Sequence, residues 1–381
     1  MNFTLMEKLL DSMAMKYYPG IDMCVYKNHK EIFRYQAGYS DIESKTPVNP
    51  NAMYYLFSCT KPITSAAAMQ LYEKGEFLMF DYLYNYLPEY KDIYVREKNQ
   101  DGEFVLVPPK RPIKIIDLFT MMAGYDYNLN RECFKLADKQ TNGKNQTGEV
   151  IKALASEPLI FHPGEQFHYS LCHDILGRLI EVISGKTLGE YMRENIFEPC
   201  GMKNTGFKVT PEVKNNMPPM YLYKGVGEFE KAELYNPYIL GENSEYESGG
   251  AGLVSCVEDY IKFADAMANG GVSVIGERIL SPKTIDVIRQ PYVPVEKFSH
   301  PSKVAMGYTY GLGVRTFQYP QNGALLSNVG EFGWDGAADS YVLIDPKENI
   351  ALFCAEHMKN GNHTDAPGRF TNMLYNIISS N

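Results

Sequence analysis

The apolar pattern of the chain is strand-like near both ends. Short β-prone runs at residues 21–26 and 31–37 flank a polar stretch and predict an antiparallel hairpin. Strand-like runs return late in the chain, at residues 307–316, 323–327, 338–344 and 350–354. Because segments this far apart share one pattern, we expect the two ends of the chain to pair into a single antiparallel sheet.

Helical patterns predominate between these runs. The clearest helix covers residues 174–183, where isoleucines and leucines form one apolar face and Gly185 provides a C-terminal stop. Other helices are predicted at the amino terminus and at about residues 58–75, 257–268 and 367–379.

These patterns predict one α+β domain with a discontinuous architecture. A sheet subdomain takes about residues 1–80 and 250–381, and a mainly helical subdomain is inserted at about residues 81–249. A cleft between the two is the expected place for a functional site.

Composition and charge narrow the classes of function. The chain has 381 residues, 45% of them hydrophobic, and a net charge of −9, which argues against nucleic acid and anionic membrane surfaces as partners. No apolar run is long enough to span a membrane, and the amino terminus resembles an amphipathic helix more than a signal peptide. Seven cysteines without C-x-x-C spacing favour a reducing compartment, so we expect a cytoplasmic protein. The histidine spacing fits no metal template, and nothing indicates a cofactor.

Ser58 and Lys61 are the first candidate catalytic residues. They stand three positions apart at the start of a predicted helix, so their side chains share one face. A neutral lysine amine can take the proton of a serine hydroxyl, and the backbone N–H of Ser58 can stabilise an oxyanion. A capped surface helix would give the same short pattern, and further motifs are needed to separate the two interpretations.

Two later motifs occur in an order that makes the pattern specific. Phe-His-Tyr169-Ser-Leu171 precedes the 174–183 helix, and Gly-Trp334-Asp335-Gly336-Ala337 precedes a late strand. With the Ser-x-x-Lys motif, this order resembles the serine β-lactamase and penicillin-binding-protein superfamily over nearly the whole chain. Class C β-lactamases, and the family VIII carboxylesterases that share their fold, are the most similar groups.

The resemblance implies a β-lactamase/transpeptidase-like fold and a covalent acyl-enzyme mechanism. Ser58 would be the nucleophile, Lys61 and Tyr169 would share the general-base work, and the N–H groups of Ser58 and Ala337 would form the oxyanion hole. The lysine and the tyrosine titrate as a unit, so the base is not assigned to either one.

Departures from the family motifs bear on the substrate. Leu171 stands where class C β-lactamases have an asparagine, and Trp334-Asp335-Gly336 replaces Lys-Thr-Gly. We expect these four residues to contact substrate, with Trp334 as an apolar wall. Asp335 is expected to repel anionic β-lactams, which favours neutral or cationic esters.

Ester hydrolysis is therefore the preferred function, with a small-molecule ester or amide as substrate. Alternatives are a β-lactamase, a D-amino-acid peptidase, a DD-carboxypeptidase, an acyltransferase, and a non-catalytic binding protein on the same fold. The sequence leaves the oligomeric state open.

Overall fold

An antiparallel sheet built from both ends of the chain is the centre of the computed structural model, which describes residues 1–241, 243–361 and 366–380. The strands are β1 (Gly20–Lys27), β2 (Lys30–Asp41), β3 (Thr46–Pro47), β4 (Tyr54–Tyr55), β5 (Val95–Lys98), β6 (Phe104–Val107), β7 (Met220–Gly225), β8 (Glu228–Ala232), β9 (Val254–Ser255), β10 (Tyr308–Tyr310), β11 (Arg315–Phe317), β12 (Phe332–Asp335), β13 (Tyr341–Asp345), β14 (Ile350–Ala355) and β15 (Met358–Lys359). The main sheet has the order β10-β11-β12-β13-β14-β1-β2-β3, so the amino-terminal hairpin pairs with the last long strand as predicted.

Helices cover both faces of this sheet. They are α1 (Thr4–Met13), α2 (Thr60–Glu73), α3 (Ile115–Phe119), α4 (Glu132–Gln140), α5 (Thr147–Leu154), α6 (Cys172–Ser184), α7 (Leu188–Met192), α8 (Glu198–Cys200), α9 (Pro211–Asn215), α10 (Val257–Ala268), α11 (Pro282–Ile288), α12 (Pro301–Ala305), α13 (Pro320–Gly323) and α14 (Ala366–Ser379). Short 3₁₀ turns lie at Phe57–Cys59, Leu83–Asn85, Pro88–Tyr90 and Pro237–Ile239, and a π-turn at Arg193–Phe197.

The central strand β14 shows how the layers are held. Leu352 and Cys354 belong to a buried cluster with residues of α1 and α14, whereas Phe353 packs on the other side, with its ring 4.1 Å from that of Tyr260 in α10. Successive side chains of a strand point to opposite faces, and both faces are covered here. The strand therefore lacks a polar face, and all its residues are buried.

The predicted helices agree well with the structure, whereas the late strands were partly wrong. The 174–183 helix is α6, and it ends where predicted, at Gly185 in a left-handed conformation with φ of 70°. Residues 307–316 form two strands rather than one, because the chain turns sharply between β10 and β11 at Gly313, whose φ is 76°. The predicted strand at 323–327 is absent from this described part of the chain, where α13 ends at Gly323 and residues 324–327 form a loop.

The middle of the chain contains β-structure as well as helices. The hairpin of β5 and β6 and the three-stranded sheet β15-β7-β8 both involve residues from the segment expected to be mainly helical. The proposed division into a sheet subdomain and an inserted helical subdomain stays a prediction.

Candidate active site

Ser58 lies in the 3₁₀ turn that leads directly into α2. The turn begins with buried Phe57 at a positive φ of 46°, a conformation that side chains with a Cβ rarely adopt. Ser58 is half-buried, whereas Lys61, in the first turn of α2, is fully buried. Lys61 Nζ lies 3.1 Å from Ser58 Oγ, so the structure brings together the two residues that the Ser-x-x-Lys motif predicted.

The amine of Lys61 has two further partners, which the sequence did not indicate. Its Nζ lies 2.7 Å from the hydroxyl of Tyr127 and donates to the carbonyl oxygen of Gly250 at 2.8 Å. Burial lowers the pKa of Lys61 to about 7, and the charge of Asp174 opposes this shift. None of these three contacts of the amine is with a carboxylate, so no direct ion pair holds the proton on Lys61.

Asp174 is a second residue that sequence reasoning missed. It lies in the first turn of α6, fully buried, where its Oδ1 accepts hydrogen bonds from Tyr246 at 2.7 Å and Ser248 at 2.5 Å. Burial raises the pKa of Asp174, and the hydrogen bonds from Ser248 and Tyr246 offset part of that rise. A Cβ placed on Gly250 would lie 2.6 Å from Asp174 Oδ2, so this glycine permits the carboxylate to approach the segment that contacts Lys61.

Tyr169 lies next to the Lys61 amine, just before α6. Lys61 Nζ is 4.6 Å from the centre of the Tyr169 ring, and the rings of Tyr169 and Tyr127 are 5.3 Å apart. Burial raises the pKa of Tyr169, and hydrogen bonds with Ser58 and Trp334 only partly offset this effect. The phenol is therefore protonated at neutral pH.

Trp334, in β12, contacts Tyr169 in two ways. Its indole Nε1 donates a hydrogen bond to the Tyr169 hydroxyl oxygen at 2.9 Å, and the two rings stack with centres 5.5 Å apart. The edge of Tyr310 packs against the indole at 5.0 Å, and Trp334 is 3% exposed. Because an indole nitrogen can only donate, the Tyr169 oxygen must accept here, which leaves its own proton for another partner.

Gly336 and Ala337 follow β12 in a tight turn beside the segment that leads to Ser58. The Gly336 N–H donates to Ser340 O, and a Cβ on Gly336 would clash with the carbonyl oxygen of Leu56. The Ser340 hydroxyl also donates to that oxygen at 3.2 Å, which ties the turn to the residue two positions before Ser58. Ala337 is exposed at the corner of this turn.

Asp335 differs from the sequence expectation. Its carboxylate forms ion pairs with Lys303 of α12 and with Arg315 Nη1 of β11, the latter at 3.1 Å. Burial alone would raise the pKa of Asp335, but the charges of Lys303 and Arg315 outweigh it and hold the pKa below its ordinary value. The expected repulsion assumed an uncompensated negative charge, and that assumption was wrong.

Leu171 lies in the apolar core beside the site. It is 1% exposed, caps the amino terminus of α6, and its backbone N–H donates to Asp126 O at 3.3 Å. Its expected contact with substrate stays a prediction.

No group of three or more potential metal ligands occurs among the residues that the structure describes. Within the same residues, no helix is both long and apolar enough to cross a membrane.

The antiparallel sheet and the helices that cover it form the β-lactamase/transpeptidase-like fold, whose family consists of proteins of the serine-hydrolase type. The chain belongs to the family described as Beta-lactamase, which its sequence matches over residues 7–376. The predicted β-lactamase/transpeptidase-like fold is confirmed.

The similar proteins include one whose name states no activity and one that is named as an esterase. Protein Rv1367c of Mycobacterium tuberculosis is 27% identical over 348 residues, covering 89% of this chain and 86% of that protein. Esterase EstB of Burkholderia gladioli is 28% identical over 269 residues, covering 65% of this chain and 66% of its own length. The solved structure of EstCE1, a hydrolase with promiscuous acyltransferase activity, superposes with a TM-score of 0.79. It covers 97% of both chains at 24% identity, a likeness that concerns the fold alone.

Proposed function

We propose that the protein hydrolyses carboxylic esters through an acyl-enzyme formed on Ser58. The observation that carries this proposal is the buried amine of Lys61, 3.1 Å from Ser58 Oγ, with a pKa lowered to about 7. At neutral pH a large fraction of this amine is unprotonated. Its lone pair then accepts the Ser58 proton, while its two hydrogens form hydrogen bonds with the carbonyl oxygen of Gly250 and the hydroxyl oxygen of Tyr127. The similarity to esterase EstB supports an ester as substrate.

In the acylation step, Ser58 Oγ attacks the ester carbonyl carbon and its proton passes to Lys61. The amides of Ser58 and Ala337 would stabilise the negative oxygen of the tetrahedral intermediate. When the intermediate collapses, the bond to the alcohol oxygen breaks. Tyr169 supplies the proton that this oxygen needs, because its own oxygen already accepts from Trp334.

Deacylation restores every group. An incoming water molecule gives a proton to the Tyr169 phenolate, and the water oxygen attacks the acyl carbon. The Ser58 oxygen leaves and recovers a proton from Lys61, so one ester and one water become one acid and one alcohol.

Acyl transfer is the second candidate, because an alcohol in place of water completes the same cycle. EstCE1 is described as having both hydrolase and acyltransferase activity, which supports testing this chain for both. Amide hydrolysis, including that of β-lactams, is disfavoured because Trp334 and Leu171 replace the polar residues of the related β-lactamase motifs.

A hydrolysis screen with 4-nitrophenyl acetate, butyrate and octanoate beside nitrocefin tests the proposal. Wild type should turn over the esters and cleave little nitrocefin, whereas Ser58→Ala and Lys61→Met should lose ester turnover. Labelling of Ser58 by a fluorophosphonate, read by peptide mass spectrometry, identifies the nucleophile directly. Rapid nitrocefin cleavage would favour a β-lactamase, and an unlabelled Ser58 without turnover would favour a binding protein.

We also propose a reducing compartment such as the cytoplasm. All seven cysteines are free and buried, and burial raises the pKa of several of them, including Cys59. Such thiols resist oxidation and form no disulfide framework.

A further inference from the structure

The carboxylate of Asp335 is partly exposed near the candidate site, and two buried cations form ion pairs with it. Its side chain is 31% exposed, whereas the side chains of Lys303 and Arg315 are 6% and 1% exposed. It directly follows Trp334, whose indole hydrogen-bonds Tyr169, and it is two positions before Ala337. The charge of Asp335 helps to raise the pKa of Tyr169, and Lys303 contacts both Asp335 and the Trp334 ring, so this group of charges adjoins the candidate site.

The two cations differ in how strongly other groups engage them. Arg315 also pairs with Glu331 at 3.4 Å and donates to the carbonyl oxygen of Val342 at 2.8 Å, so it is held within the sheet. The amine of Lys303 donates to Asp335 and lies 5.1 Å from the centre of the Trp334 ring. Lys303 is thus the cation that loss of Asp335 would release toward the cleft.

The charges around this point are balanced. Lys303 and Arg315 are matched by Asp335 and Glu331, so a bound anion would meet no uncompensated cation. Without Asp335, two cations would face one carboxylate.

We propose that Asp335 is a specificity-determining residue that occupies, from within the chain, a carboxylate-binding site formed by Lys303 and Arg315. In this arrangement Asp335 selects neutral substrates by filling the place of a substrate carboxylate rather than by repelling it. The inference rests on the proposed ester hydrolysis, and it assigns carboxylate-bearing esters as the class that the wild-type site rejects.

The test compares matched neutral and anionic substrates on wild type, Asp335→Ala and Asp335→Asn. For a carboxylate on the acyl side, the pair is 4-nitrophenyl pentanoate and the mono-4-nitrophenyl ester of glutaric acid. For one on the alcohol side, the pair is 4-(butanoyloxy)benzamide and 4-(butanoyloxy)benzoate. The quantity measured is the ratio of kcat/KM, anionic over neutral, which cancels any general loss of activity.

In Asp335→Ala this ratio should rise by about tenfold or more for at least one pair, the gain from one charge-assisted hydrogen bond. In Asp335→Asn the ratio should rise less, because the asparagine amide still occupies the space between Lys303 and Arg315. Adding Lys303→Met to Asp335→Ala should remove the gain. Asp286→Asn, in α11, deletes a carboxylate paired with Arg289; it serves as the matched charge control and should leave the ratio unchanged.

A second readout does not require turnover. Titration of the single tryptophan's fluorescence with phenylboronic acid and 3-carboxyphenylboronic acid gives a ratio of dissociation constants for each variant. Ester turnover that is absent, or independent of Ser58, would refute the proposed function, and the boronate ratio would still decide on Asp335. An unchanged ratio in Asp335→Ala by both readouts, in a protein whose thermal unfolding remains cooperative, would overturn the inference.

Discussion

The hydrogen bond from Trp334 to Tyr169 gives the sharpest test of how protons move in this site. Trp334→Phe removes the indole N–H that lies 2.9 Å from the Tyr169 oxygen, yet keeps an aromatic ring to stack on the tyrosine. In the resting site this is a hydrogen bond between neutral groups, worth about 1 kcal/mol. When Tyr169 gives its proton to the leaving alcohol, the phenol oxygen becomes negative and the same bond becomes charge-assisted.

The expected loss follows from that change. Hydrogen bonds to charged groups contribute about 1.5–3 kcal/mol, and about 1.4 kcal/mol corresponds to a factor of ten in rate. The variant also loses the resting bond of about 1 kcal/mol, so the net loss is about 0.5–2 kcal/mol, and kcat/KM should fall about 2- to 30-fold for an ester whose alcohol needs a proton to leave. The loss should be several-fold smaller for 4-nitrophenyl butyrate, since 4-nitrophenolate is stable as an anion.

The assay measures methyl butyrate hydrolysis in a pH-stat and 4-nitrophenyl butyrate hydrolysis by absorbance. Tyr169→Phe provides the matched background, because it lacks the hydroxyl that accepts the indole hydrogen bond. In that background, Trp334→Phe should cause little further loss, so the two effects should be strongly non-additive. Equal losses for both esters, or the same loss with and without the Tyr169 hydroxyl, would refute this account of proton transfer.

Four further predictions concern the groups around the site. The kcat/KM of ester hydrolysis should rise with pH through a limb near 7, because only unprotonated Lys61 accepts a proton. In Asp174→Asn a pH–rate profile should show this limb at lower pH, since the lost negative charge no longer favours the ammonium. Tyr127→Phe, which removes the hydroxyl 2.7 Å from the Lys61 amine, should lower kcat/KM about fivefold, as expected for one hydrogen bond of about 1 kcal/mol, without changing the urea midpoint of unfolding. Arg315→Met should lower the free energy of unfolding at pH 7 by about 3 kcal/mol in urea denaturation, because it leaves Glu331 buried without its cation. That loss should shrink near pH 5, since burial raises the pKa of Glu331 and a protonated carboxyl needs no cation.

Local sequence patterns correctly predicted those features of the fold that depend on residues close together in the chain. The three-residue spacing of Ser58 and Lys61 was sufficient to predict that their side chains meet, although Ser58 lies in the 3₁₀ turn before α2 and only Lys61 lies in the helix. Gly185 likewise ended α6 as expected, since glycine adopts a left-handed conformation at no steric cost. The predicted strand at 323–327 was wrong, because α13 ends at Gly323 and Ala324 adopts a left-handed conformation with φ of 49°, which interrupts extended backbone.

Contacts between segments that are far apart in the chain could not be predicted from the sequence. Tyr127 is one of 29 tyrosines, and nothing near it in the chain indicates that Lys61 lies 2.7 Å away. Asp174 was read only as part of a helix pattern, and its role in the electrostatics of Lys61 depends on Tyr246 and Ser248, more than 70 positions later. Two features do point to it in retrospect. They are an acidic residue directly before the apolar pattern of α6, and the pair Gly249 and Gly250, which permits close approach of the backbone.

The two buried lysines of the site, Lys61 and Lys303, differ in the groups that contact their amines, and these contacts cannot be predicted from the sequence around each lysine. Burial lowers the pKa of both Lys61 and Lys303, since removing an ammonium from water is costly whatever surrounds it. Lys303 directly contacts the Asp335 carboxylate, whose charge and hydrogen bond oppose the effect of burial on the pKa of this lysine. Lys61 contacts two hydroxyls and a carbonyl oxygen, while its nearest negative influence, Asp174, acts through space. One lysine is therefore suited to hold charge and the other to exchange a proton, and the difference comes from a single carboxylate.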